Sequence, residues 1–204
     1  MTLKEIKKIV VIGAGTMGAG IAQMCAMTGY QTVLFDVKPE ALPKAMKAIE
    51  KNLQGAVKRN KITEQHKIDT LNRIHTTTFF ADLVGELIIE AIVENINIKL
   101  EVFDQVSKIN PISTILATNT SSIPITRIAA KLPHPERVVG MHFFNPAHIM
   151  KLVEIILGAD TNEQVAQTVK ELSEKMGKIA VFAKDEPGFI VNRVARHFYV
   201  ESLK

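Results

Sequence analysis

Residues 9–20 read IVVIGAGTMGAG. The four branched apolar residues predict a short buried strand, and Gly13-x-Gly15-x-x-Gly18 then opens a helical stretch. That context gives each glycine a task. Gly13 permits the tight turn, Gly15 lets the backbone approach a pyrophosphate, and Gly18 lets helix and strand pack closely. The helix start, with Ala14, Thr16 and Met17 between the glycines, offers N–H groups to an anion. Alone, this spacing is a weak signal, but an acid reinforces it. Asp36 closes the next apolar run, 18 residues after Gly18. A carboxylate there accepts hydrogen bonds from ribose hydroxyls and repels a 2′-phosphate. Val37 follows it rather than an arginine, which favours NAD over NADP, while Lys38 weighs the other way. The plainer alternative is a glycine turn beside an exposed Asp.

Outward from this stretch, apolar runs alternate with helical segments. Strands are predicted at Ile9–Ile12, Thr32–Phe35, Ile74–Thr76, Leu87–Ala91, Ile115–Thr118, Val138–His142, Leu152–Ile156 and Ile179–Phe182. Helices are predicted near Met17–Thr28, Glu40–Asn60, Ile98–Lys108 and Glu163–Met176, with Gly29 and Gly177 as C-caps of the first and last. The pattern indicates an α/β fold: a Rossmann-type, doubly wound, mostly parallel sheet with helices on both faces. After Pro187-Gly188, residues Phe189 to Tyr199 read as a helix apolar on nearly every side, including Phe198 and Tyr199. The expected division is therefore 1–186 for the sheet domain and 187–204 for the start of a truncated all-helical domain.

Composition sets the bounds. The chain has 204 residues, 25 basic and 21 acidic, for a formal charge of +4. With 47% hydrophobic and 23% charged residues it lies in the ordinary globular range, which argues against disorder. A single cysteine, Cys25, excludes an internal disulfide framework and a Cys-based zinc site, so a reducing compartment, the cytoplasm, is expected. Residues 9–35 carry no charge and follow Lys4, Lys7 and Lys8, as a membrane span would. They also hold five glycines, three threonines and two glutamines, which suits a strand, a glycine turn and a buried helix better. Neither a membrane nor a nucleic-acid partner is expected.

A carboxylate interrupts a second apolar strand. Residues 151–156 read KLVEII, and an ionised Glu154 inside such a run is costly unless it is paired or hydrogen-bonded. Twelve residues earlier, VVGMH ends in His142, at a strand end that opens toward the ligand crevice of a doubly wound sheet. A His–Glu pair makes a base suited to taking a proton from an alcohol. It is equally a core histidine satisfying a structural Glu. His142, His148 and Glu154 lack the close regular spacing of a metal motif. Asn119-Thr-Ser-Ser122 ends another strand, with Pro124 at a helix start. Those side chains can cap that helix or meet a ligand, and Glu94, Asn95 and Lys99 pose the same choice.

The stretches VIGAGTMGAGIAQ, EAIVENINIK, ATNTSS, GMHFFNPAHIMKLVEII and KDEPGFIVNR together resemble the 3-hydroxyacyl-CoA dehydrogenase family, near its bacterial 3-hydroxybutyryl-CoA members. GMHFFNP followed by KLVEII carries most of that specificity. The resemblance implies NAD-dependent oxidation of (3S)-3-hydroxyacyl-CoA to 3-oxoacyl-CoA and the reverse, in fatty-acid and butanoate metabolism. It implies His142 as the catalytic acid/base with Glu154 as its partner, and Ser121 and Asn192 at the substrate's reacting oxygens. NAD would be bound by Gly13, Ala14, Gly15, Thr16, Met17, Gly18, Asp36, Glu94, Lys99 and Asn119, with Ser121 and Asn145 also facing it. Lys44, Lys47, Lys51 and Lys58 form a stripe that is either a solvated helix face or an anion-facing one. The resemblance places Asn52, Lys58 and Arg59 beside the CoA moiety. It also implies a homodimer of the full-length protein. Two rivals remain: a 6-phosphogluconate-type dehydrogenase, against which the His142/Glu154 pair speaks, and a catalytically silent NAD-binding module.

Overall fold

Strand β1 (Lys8–Ile12) sends alternate side chains to opposite faces, and both faces are dry. Ile9 and Val11 enter one apolar cluster and Val10 and Ile12 the other, all at 0% exposure. A strand buried on both sides needs helices on both sides. Each such side chain contributes about 1.5–3 kcal/mol by leaving water. The structure, a computed structural model, describes residues 1–202, and of residues 197–201 the backbone only.

The remaining strands are β2 (Gln31–Phe35), β3 (Ile74–Thr77), β4 (Leu87–Glu90), β5 (Ile115–Thr118), β6 (Val138–Phe143), β7 (Leu152–Leu157) and β8 (Ile179–Lys184). They form one eight-stranded sheet in the order β3-β2-β1-β4-β5-β6-β7-β8, parallel except for the β6–β7 pair. The chain runs outward from β1 through β2 to β3, then returns to lay β4 on the other side of β1. A crevice therefore opens beyond the carboxyl ends of β1 and β4.

On one face lie α1 (Thr16–Met27), α2 (Ala41–Lys58) and α6 (Glu163–Lys175); on the other lie α4 (Ile96–Ile109) and α5 (Ile125–Ala129). In α2 the residues Leu42, Ala45, Ile49 and Leu53 recur every three to four positions and are buried. Lys44, Lys47, Lys51 and Lys58 on its other face are exposed. Gly29 and Gly177 have φ of +101° and +76° and stand one residue past the C-caps Thr28 and Met176, a position where a left-handed residue closes the last turn.

Several expectations need correction. Helix α4 starts at Ile96, not Ile98, because the Asn95 side chain caps it, accepting from Asn97 N at 3.0 Å and Ile98 N at 3.4 Å. A further helix, α3 (Glu64–Asn72), lies between α2 and β3, with Thr63 Oγ1 accepting from His66 N at 3.1 Å. Its apolar periodicity is too weak to read from sequence. Helix α7 (Val191–Ser202) begins two residues later than predicted, because Gly188 and Phe189 take φ of +77° and +49° in a left-handed turn. Phe189 is buried, whereas Ile190 and Val194 are exposed. The side chains of Phe198 and Tyr199 lie outside the described residues. Among the described residues, no helix is long and apolar enough to cross a membrane.

Candidate active site

The turn from β1 into α1 is built by sterics. Gly13 has φ of +105°, and a Cβ there would stand 2.6 Å from the Ala91 carbonyl oxygen at the end of β4. A Cβ on Gly18 would lie 1.7 Å from the Gly13 carbonyl oxygen. Neither position admits a side chain without moving backbone. Gly15 differs, since a Cβ there meets nothing within 4 Å. It faces open space at the helix start, where first-turn N–H groups have no intrahelical partner. Asp36 leans into this turn: Oδ2 accepts from Ala14 N at 2.8 Å and Oδ1 from Lys38 N at 2.9 Å.

Two cavities meet here. The first, about 580 Å³, runs between the glycine turn, Asp36 and the β4 end, and is lined in part by Gly15, Thr16, Met17 and Ile92. The second, about 400 Å³, shares Met17, Ala91 and Ile92 with it and continues to Glu94, Asn119, Ser121, His142, Asn145 and Asn192. One crevice thus leads from Asp36 to His142.

His142 and Glu154 are direct partners across the antiparallel β6–β7 register. His142 Nδ1 is 2.7 Å from Glu154 Oε2. The other carboxylate oxygen, Oε1, accepts from Ile190 N and Val191 N, each at 2.9 Å, where α7 begins. Burial pushes the Glu154 carboxyl up, but the hydrogen bonds from His142, Val191 and Ile190 outweigh it and hold the group below its ordinary value. A carboxylate kept ionised must receive a proton donor, which assigns a hydrogen to Nδ1 of His142. The ring lies 4.5 Å from Phe144 and 5.8 Å from Phe189, centroid to centroid. Asn119 Oδ1 accepts from Phe143 N at 2.8 Å, tying the end of β5 to the strand that carries His142.

Glu94 gathers the loop after β5. Its Oε1 accepts from Thr120 Oγ1, from Ser121 N at 3.1 Å and from Ser122 Oγ at 2.9 Å. Burial raises the Glu94 carboxyl, yet the Thr120 hydroxyl, the Lys99 charge and the Ser122 hydroxyl hold it below its ordinary value. Asn192 Nδ2 donates to Ser121 O at 3.3 Å, which brings α7 to the same loop. Lys99 stands behind this lining at 1% exposure, 2.7 Å from Glu90 and 3.2 Å from Glu94.

Asn52, Lys58 and Arg59 are not brought into this crevice. Asn52 Nδ2 donates to Gln23 Oε1 at 3.2 Å on α1, while Lys58 and Arg59 are exposed at the end of α2. The Arg59 charge reaches His148, which burial first, then Lys178 and Arg59, hold below the usual imidazole value. Sequence reasoning missed Lys178 in that group, and it missed Glu90, Asp185 and the packing of Phe189 on His142. Asp185 accepts from Ile125 N and Thr126 N, each at 2.8 Å, and so caps α5 from a distant segment.

Comparisons with known proteins agree with this geometry. The sequence model of the family described as 3-hydroxyacyl-CoA dehydrogenase, NAD binding domain, matches residues 8–186. A 3-hydroxyadipyl-CoA dehydrogenase of Escherichia coli K12 is 46% identical over 98% of this chain and 42% of its own length. A probable 3-hydroxybutyryl-CoA dehydrogenase of Bacillus subtilis 168 is 47% identical over 93% of this chain and 67% of its own. The crystal structure of an E. coli K12 3-hydroxybutyryl-CoA dehydrogenase superposes with a TM-score of 0.94 at 45% identity, covering 97% of this chain and 42% of that one. The chain thus spans less than half of the E. coli relatives and two thirds of the Bacillus one. The eight-stranded sheet, the glycine turn and a family match over residues 8–186 lead to one assignment: the chain belongs to the family of NAD-binding domains of 3-hydroxyacyl-CoA dehydrogenases.

Proposed function

We propose that the chain is the nucleotide-binding part of an enzyme that interconverts (3S)-3-hydroxyacyl-CoA, 3-hydroxybutyryl-CoA among them, and 3-oxoacyl-CoA with NAD. The observation that carries the reading is the 2.7 Å His142–Glu154 contact at the end of a crevice that starts at Asp36. The residues fit NAD. Gly15 leaves room for a phosphate against backbone N–H groups, and Asp36 uses one lone pair of each oxygen on Ala14 N and Lys38 N, leaving the others for ribose hydroxyls. Gly13, Ala14, Thr16, Met17 and Gly18 would form the phosphate turn, and Glu94, Asn119, Ser121 and Asn145 would meet the nicotinamide end. Bound NAD supplies the hydride acceptor and, reduced, the donor.

The chain's own groups do the proton chemistry. With Nδ1–H committed to Glu154, Nε2 of His142 takes the hydroxyl proton as the alcohol is oxidised and returns it to the ketone oxygen in reverse. Glu154 is a positioning residue: it fixes the tautomer and favours the imidazolium that forms. Asn192 and Ser121, joined by their own hydrogen bond, would orient the reacting oxygens. The exposed cations Lys58 and Arg59 at the end of α2 suit the phosphates of CoA, with Asn52 on the same helix.

Residues 1–186 would form the nucleotide domain and 187–204 the entry to a helical one, a boundary supported by the family match ending at 186 and the left-handed turn at Gly188–Phe189. The single buried thiol of Cys25 suits a reducing cytoplasm. We propose a homodimer for the whole protein, which sedimentation of that protein would test. The activity test is to mix purified protein, NADH and acetoacetyl-CoA and follow loss of NADH absorbance. Consumption that depends on both components supports the reading. NADH binding without turnover supports a silent binding module, and absence of binding overturns the assignment of the crevice.

A further inference from the structure

Glu90 ends β4 at 0% exposure, and no step of the proposed chemistry uses it. A carboxylate so far from water needs donors on every side, and three are present. Oε1 accepts from Ile92 N at 2.7 Å and from Lys99 Nζ at 2.7 Å; Oε2 accepts from Thr118 Oγ1 at 2.7 Å. These donors belong to three pieces of chain: the loop after β4, the first turn of α4 and the end of β5. Glu90 therefore fixes a loop, a helix and a strand end relative to one another. Lys99 passes this on, because its amine also meets Glu94 at 3.2 Å, and Glu94 gathers Thr120, Ser121 and Ser122.

We infer that Glu90 is a positioning residue of the active site, acting through Lys99. The pair holds Glu94, and Glu94 holds the Ser121 backbone where Asn192 reaches it. The mouth of the crevice between Glu94, Ser121 and His142 is then set from the sheet outward. Displacing a reacting group by about an ångström costs on the order of a hundredfold in rate, so small slackness here is felt in turnover. The inference rests on the dehydrogenase reading for its kinetic consequence, but not for its structural one.

The test compares the parent protein, Glu90→Gln and Glu90→Gln/Lys99→Met. Glutamine can keep all three contacts, its oxygen facing Ile92 and Lys99 and its amide facing the Thr118 hydroxyl, which can turn to accept. Only the charge that restrains Lys99 is removed. The expected result for Glu90→Gln is hydrogen exchange at the Ser121 amide about tenfold faster, with kcat for NADH oxidation down about 3- to 30-fold and KM for NADH nearly unchanged. The double variant also removes the cation left without its buried partner, so it recovers thermal stability. It recovers neither Ser121 protection nor kcat, because Glu94 has lost Lys99.

Return of kcat together with stability in the double variant would reduce Glu90 to a structural role and overturn the inference. Unchanged exchange at Ser121 in Glu90→Gln would do the same. If Glu90→Gln does not fold, Lys99→Gln weakens the same link from the helix side and carries the same comparison. Lack of turnover in the parent protein counts against the dehydrogenase reading alone, since the exchange measurement still judges Glu90.

Discussion

Glu154→Gln tests the proposed chemistry most directly, because the two oxygens of Glu154 have different work. Oε1 receives two backbone amides, Ile190 and Val191, and Oε2 receives the imidazole. Glutamine has one acceptor and one donor to place there. If its oxygen faces the amides, its NH₂ faces Nδ1, which must then accept, and the ring proton moves to Nε2. The reacting nitrogen becomes a donor and cannot take the hydroxyl proton. If the amide is turned round, its NH₂ points at two backbone N–H groups, and leaving such buried donors unpaired costs about 1–3 kcal/mol each. The first arrangement therefore wins.

From this the magnitudes follow. With the wrong tautomer and no carboxylate to favour the imidazolium, kcat should fall by about 10²–10⁴ while NAD affinity is kept. Stability should fall by only about 1–3 kcal/mol, since three charge-assisted bonds become neutral ones. That deficit has a pH signature. Glu154 lies below its ordinary value when folded, so its contribution is complete above about pH 5 and is lost as pH falls through the folded value. Urea unfolding of both proteins from neutral to acid pH should show the gap constant, then closing. Nitrogen NMR of His142 reads the tautomer, and stopped-flow NADH oxidation reads kcat. Parent-like turnover, with the hydrogen still on Nδ1, would refute the reasoning.

The glycine turn offers a contrast between neighbouring residues. Gly18→Ala drives a Cβ into the Gly13 carbonyl and should lower stability by at least about 1–3 kcal/mol, seen as a drop in Tm. Gly15→Ala meets no atom and should keep Tm while weakening NAD binding; parent-like affinity would deny it the pyrophosphate role. Asp36→Ala should weaken NAD by about ten- to a hundredfold in calorimetry and narrow the preference over NADP, and unchanged affinity would remove the ribose assignment.

The sheet was legible because two-sided burial writes itself as short unbroken apolar runs, and all eight strands appear within two residues of the predicted bounds. The site was legible where one residue breaks such a run. Glu154 within LVEII stood out, and Glu90 at the end of LIIE offers the same signal: a charge where nothing else is polar. It escaped notice because a terminal acid reads as a residue already leaving the strand. The partners of these carboxylates were out of reach for another reason. Ile190 and Val191 meet Glu154 through backbone N–H groups 36 and 37 residues away, and backbone donors leave no trace in side-chain type. Helix α3 was missed because, with Thr70 its only fully buried residue, it has little apolar face to show.

Glu90 and Glu154 share a construction that bears on how the site is kept in shape. Each is buried at 0% exposure, each receives three hydrogen bonds, and in each the donors include backbone N–H and one ionisable side chain, Lys99 or His142. Burying a carboxylate costs several kcal/mol unless such donors are in place, so any movement that removes one is penalised steeply. The segments supplying those donors, residues 92–99 and 190–191, are then bound to the end of β4 and the middle of β7 more tightly than surface loops ordinarily are. A flexible loop could not hold Ser121, Asn192 and His142 to a fraction of an ångström, but a strand fixed by its neighbours on both sides can. In this arrangement the sheet carries the geometry outward through two buried carboxylates, and the loops that line the crevice take their positions from it.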